Sequence, residues 1–113
     1  MSKLENDCLA ILNYASGIEP HCPERAGRWI SIVEIAEARC IPDSTIRTIM
    51  SVSKRGICFK FDGERTHIHN DAFTKIAKKY RFEYKIKKMA DSKGYVSWHI
   101  SAVKIPYESM YHD

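Results

Sequence analysis

Apolar residues along the chain recur in short periodic runs, separated by polar or Gly/Pro-rich breaks. Leu4, Cys8, Ile11, Leu12 and Ala15 follow a spacing of three and four, which predicts a helix opening just after Ser2, whose hydroxyl can cap it. The stretch from Gly17 to Arg28 contains Pro20, Pro23 and Gly27, cannot continue that helix, and reads as a loop. Trp29-Ile30-Ser31 is a short extended segment, with Ser31 placed to cap a second helix that begins at Ile32. Ile32, Val33, Ile35 and Ala36 recur at helical spacing, and Ile46, Ile49 and Met50 do so again after Ile41-Pro42-Asp43-Ser44. Pro42 drives Ile41 out of the helical region, and Asp43 or Ser44 can cap the helix that follows, expected over 44–55.

The period then changes. Gly56 stands where a helix C-cap is expected, and Ile57-Cys58-Phe59-Lys60-Phe61 alternates with period two. Asp62-Gly63-Glu64-Arg65 is a turn signal, so Thr66-His67-Ile68-His69 returns as a second strand and 57–69 forms a hairpin. Asn70 or Asp71 caps a further helix, with Phe73, Ile76, Ala77 and Tyr80 on one face and Lys75, Lys78 and Lys79 facing away. Phe82, Tyr84 and Ile86 then alternate with Glu83, Lys85 and Lys87. Asp91-Ser92-Lys93-Gly94 turns the chain into a partner strand whose apolar face is Val96, Trp98, Ile100 and Ala102.

The stretch 32–61 resembles a winged helix-turn-helix. In that family the first helix of the corner carries an apolar residue followed by Ala, here Ile35 and Ala36. An apolar residue plugs the turn, here Ile41, and the second helix buries Ile46 and Ile49. Two positions depart from the pattern: Cys40 replaces the turn glycine, and Arg39 stands where another apolar residue is usual. The resemblance implies an α+β fold in the order α-β-α-α-β-β, followed here by an additional helix and a C-terminal β-hairpin. A single domain is expected over 1–105, with a flexible tail over 106–113. The last hairpin is not part of a minimal winged helix; it is expected to pack on the third and fourth helices or to pair with another subunit.

Composition fits one small domain. A chain of 113 residues that is 44% apolar can fill one core. No apolar run approaches the ~18 residues needed to cross a bilayer, and acids interrupt the N-terminal apolar stretch, which argues against export. The expected compartment is the cytoplasm. Cys8, Cys22, Cys40 and Cys58 are widely spread and form no C-x-x-C pair, so three are read as small buried hydrophobes and one as a loop thiol. A metal site from His21, Cys22, His67 and His69 lacks a second paired-ligand cluster, and no metal or cofactor is expected.

Charge changes the picture through its distribution. The net charge is +4, yet residues 1–43 hold four cations against seven anions. The remainder is therefore strongly positive, and its densest cluster is Lys75, Lys78, Lys79, Arg81, Lys85, Lys87 and Lys88. With a helix-turn-helix pattern, such a distribution points to double-stranded DNA and a small transcriptional regulator. The helix over 44–55 would enter the major groove, presenting Ser44, Thr45, Arg47, Thr48 and Ser51. Arg47 has the fork that pairs with guanine, while Lys54 and Arg55 would meet the backbone. Lys60 and Arg65 on the wing, and Lys75, Lys78 and Lys79 on the next helix, complete the expected DNA-binding set. A homodimer through the 71–80 helix or the final hairpin would space half-sites about 34–36 Å apart, or a multiple of that.

The competing class is a protein-binding module, such as a phage- or plasmid-encoded inhibitor that occupies a host nuclease or polymerase. It draws on the acidic first third and on the extra hairpin. An enzyme is not expected: no nucleophile–base pair is recognisable and the glycines are isolated.

Overall fold

The computed structural model describes residues 2–52, 58–61, 64–67, 71–90, 92–94 and 96–106, the side chains of 47–48, 50–52, 58–61, 64–67, 71–72, 90 and 96 lying outside that description. The elements are α1 (Lys3–Ala15), β1 (Ile30–Ser31), α2 (Ile32–Arg39), α3 (Asp43–Val52), β2 (Cys58–Phe61), β3 (Glu64–His67), α4 (Asp71–Tyr80), β4 (Phe82–Ala90) and β5 (Val96–Lys104). The class is mixed α+β.

α1 begins as its sequence demands. The Ser2 hydroxyl accepts from the Glu5 amide at 3.2 Å, and the Ser2 amide donates to the Glu5 carboxylate at 3.0 Å, a reciprocal cap that satisfies two otherwise orphaned donors. Its stripe of Cys8, Ile11, Leu12 and Ala15 is fully buried, so α1 is the helix on which the others gather. At its exit Gly17 adopts φ +82°, and a Cβ there would lie 2.2 Å from the Cys22 carbonyl oxygen, so only glycine fits. Arg25 orders the loop that follows. It donates to the carbonyls of Tyr14 and Pro20 at 2.8 and 2.7 Å, and its guanidinium lies 4.0 Å from the Tyr14 ring centre.

The sheet is antiparallel in the order β1-β5-β4-β3-β2. β4 and β5 pair along their whole length, from Phe82 opposite Lys104 to Ala90 opposite Val96. Alternation sends Phe82, Ile86, Ile100 and Ala102 inward, against α1 and the Phe73–Ile76–Ala77 stripe of α4. Phe73 and Tyr84 stack at 5.4 Å, and the Tyr84 hydroxyl lies 3.1 Å from that of Thr74. Burial pushes the Tyr84 phenol up to about 12, and pushes the Cys8 thiol up to about 12 as well.

Several expectations need correction. The final hairpin is no appendage: it is the middle of the sheet, and β1 pairs with β5, with Ile30 opposite Ile100. Alternation specifies a strand's buried face but carries no information about its hydrogen-bonded neighbour, which comes from elsewhere in the chain. Ser31 precedes α2 but makes no side-chain cap. Val33, counted with the apolar stripe of α2, is 55% exposed. Of the cysteines, Cys8 is buried, Cys22 half-buried and Cys40 exposed. α3 starts at Asp43, one residue before the expected 44–55 span. β3 runs from Glu64 to His67, so Glu64 and Arg65, expected in the turn, are strand residues paired with Phe61 and Lys60, and the return begins two residues earlier than the expected 66–69. The stop at Gly56, residues 62–63 of the turn, Ile68, His69 and the tail beyond Pro106 lie outside the described residues.

Candidate nucleic-acid interface

The corner between α2 and α3 is built by backbone chemistry. Cys40 sits in the left-handed region at φ 55° and ψ 42°, the conformation a glycine would adopt there. From it the amides of Cys40 and Ile41 both donate to the Ala36 carbonyl, the latter at 2.9 Å, which terminates α2 and turns the chain. Ile41 is 6% exposed and fills the inside of the turn. Ile35 and Ile49 are fully buried, and Ala36 and Ile46 pack against them at the margin of the core. Arg39 has a partner of its own: its Nη2 lies 3.7 Å from Glu19 Oε2, tying the end of α2 to the loop after α1. Being largely exposed, that pair contributes at most about 1 kcal/mol.

The residues expected to touch DNA are distributed as follows. Ser44 is exposed, whereas Thr45 is half-buried; both border a cleft of about 240 Å³ with Lys3, Leu4 and Asp7 of α1. One oxygen of Asp7, Oδ2, is shielded from solvent and has no hydrogen-bond partner among the described residues. Thr45 is thus turned toward α1 more than the sequence suggests. Arg47, Thr48 and Ser51 lie on α3, but their side chains are outside the described residues, as are Lys54 and Arg55 altogether. Lys60 and Arg65 face each other in register across the β2–β3 pair, their side chains likewise outside the description. Lys75, Lys78 and Lys79 are exposed on α4, opposite its buried stripe. Lys78 and Lys79 stand in its last turn, where they complement the negative end of the helix dipole. Lys75 reaches the field of Glu5. That carboxyl is held below its ordinary 4.5 first by the Ser2 amide, then by the Ser2 hydroxyl, with Lys75 adding less.

The α2 side of the corner has the opposite character. Val33, Ala36 and Ile41 of the turn, with Ile46 of α3, line a groove of about 250 Å³ rimmed by Glu37 and Asp43. Phosphate is repelled there. Sequence reasoning also passed over Trp29, read only as part of a strand. It is 36% exposed and lies under Lys87, whose Nζ is 4.4 Å from the ring centre. The alternation of Glu83, Lys85 and Lys87 was the available signal, but it does not say which aromatic residue comes to rest on that face.

Among the described residues no three His, Cys, Asp or Glu side chains converge as metal ligands, and no helix is long and apolar enough to cross a membrane. Compared with family models, curated proteins and solved structures, the chain matches none, so its function must be argued from its own residues.

Proposed function

We propose that the protein is a sequence-specific double-stranded DNA-binding protein of winged helix-turn-helix type, a small transcriptional regulator that sets α3 in the major groove. One observation carries this reading: the left-handed Cys40 and the plugging Ile41 give α2 and α3 the tight, glycine-like corner that such a module requires. The exposed lysines of α4 support it by supplying a phosphate-binding flank. Arg47 is the base-reading residue and Lys54 and Arg55 the backbone contacts, with the 57–69 hairpin as wing.

The test is site selection from a random duplex pool, followed by affinity measurements on the winning site. Arg47→Ala is expected to lose roughly 1–3 kcal/mol and to relax preference at one base position. Lys54→Ala is expected to weaken all sequences alike and to lower the salt slope by about 1. Duplex affinity that is flat between ~50 and 200 mM salt counts against the reading, because phosphate neutralisation forces a steep decline.

A second reading rests on the acidic, apolar groove between α2 and α3. Val33 is the most exposed large apolar side chain among the described residues, and Glu37 and Asp43 flank it. That combination suits a basic amphipathic segment of a partner protein. Val33→Asp separates the two readings, since it removes partner capture and leaves the Arg47-dependent DNA affinity in place.

A further inference from the structure

Alternation along β4 places Glu83, Lys85, Lys87 and Met89 on the sheet face turned away from the helices, opposite Val103, Ser101, His99 and Ser97 of β5. The buried residues of both strands lie on the other face, beneath α1 and α4. Trp29 enters this outer face just before β1. Beside it runs an open groove of about 310 Å³, bordered by Gly27, Trp29, Glu83, Lys85, Ser101 and Val103. That volume is at the lower end of the range for small-molecule sites.

We propose that this outer face is a second nucleic-acid surface, which binds a single-stranded segment by stacking an unpaired base on Trp29 and holding the adjoining phosphates with Lys85 and Lys87. The lysines select a polyanion. The indole then selects among polyanions, because a flat π surface laid against it adds stacking that phosphate alone lacks. A duplex keeps its base faces stacked within the helix and an acidic peptide has none, whereas a single strand presents one with every nucleotide. Lys87 covers the indole, its Nζ 4.4 Å from the ring centre, so a base that stacks there takes the place of the ammonium, which then turns to the adjoining phosphate. Glu83 repels phosphate, which directs the backbone toward Lys85 on the groove's border and Lys87 beside Trp29. Its carboxylate and the Ser101 hydroxyl are left for the edge of the base.

The inference does not depend on α3, and the experiment keeps the two apart. The full chain is titrated with a fluorescein-labelled 15-nucleotide oligothymidylate and, separately, with a duplex of equal length, following anisotropy. Indole emission is read in a Trp98→Phe background, where Trp29 is the remaining tryptophan. Expected are quenching by the single strand and a roughly 5- to 150-fold loss of single-strand affinity in Trp29→Ala. Trp29→Tyr keeps a ring and is expected to stay within a few-fold of the parent. Lys85→Gln and Lys87→Gln are each expected to lower the log–log salt slope by about 0.7. Single-strand affinity that survives Trp29→Ala, or that is abolished by Arg47→Ala alone, overturns the proposal. So does equal competition by polyglutamate, which marks a plain cationic patch, and so does an absence of single-strand binding. Trp29-dependent binding of the single strand with no duplex binding sinks the α3 reading and leaves this one standing.

Discussion

Cys40 turns the chain after α2 at φ 55° and ψ 42°, a left-handed conformation that its Cβ makes costly. An L residue in the left-handed region costs about 1–2 kcal/mol from its own Cβ, whereas glycine costs about 0.5–1 kcal/mol in unfolded-state entropy. Its side chain is exposed, so nothing is lost from the core when it is removed. Cys40→Gly is therefore expected to raise stability by up to about 1 kcal/mol, read as a higher urea midpoint at constant m-value. A lower midpoint refutes the assignment of strain to this position. Capping shows both what single residues reveal and what they hide. Ser2 with Glu5 three residues on is a complete local signal, and the structure uses it. Ser31 is followed by Glu34 at the same spacing, yet its side chain makes no cap, and the Glu34 carboxylate instead accepts from the Tyr14 hydroxyl at 3.3 Å.

At the scale of elements, Ile49 is the fully buried side chain of α3 among those described. It lies between α3 and the rest of the core, whereas Ile46 is only partly covered. Ile49→Ala is expected to lose about 2–5 kcal/mol, enough to unfold much of a marginally stable domain, while Ile46→Ala loses distinctly less. Thermal unfolding followed by circular dichroism separates them; equal losses would mean that α3 is seated differently. The helical stripe of α3 was legible because its apolar residues repeat at 3.6. That of α2 was legible only in part. Eight residues make too short a stripe for periodicity to separate buried Ile32 and Ile35 from exposed Val33. In such a helix the packing of its neighbours decides which side is covered.

For the whole molecule, the titration of buried groups links fold to pH. Burial raises the Cys8 thiol from its ordinary 9.0 to about 12, and the Tyr84 phenol from 10.0 to about 12. On unfolding both groups return toward their ordinary values, so above pH 9 the unfolded chain binds fewer protons than the folded one. Stability is then expected to fall as pH rises from 9 to 12. Cys8→Ala removes the earlier part of that decline, and urea midpoints at pH 8, 9.5 and 11 measure it. Midpoints of the parent that stay level across this range would contradict the burial of both groups.

Local pattern along the chain was enough for the element types, the starts of α1 and α2, the buried stripes of α1, α4, β4 and β5, and the Ile41 plug. These follow from period, caps and turn residues within a few positions of one another. Packing across the chain is what sets the last hairpin in the centre of the sheet, pairs β1 with β5, and brings Trp29 to rest against Lys87. Each of these joins residues far apart along the chain. A local pattern specifies which face of a segment avoids water, and the choice of partner for that face belongs to the assembled core.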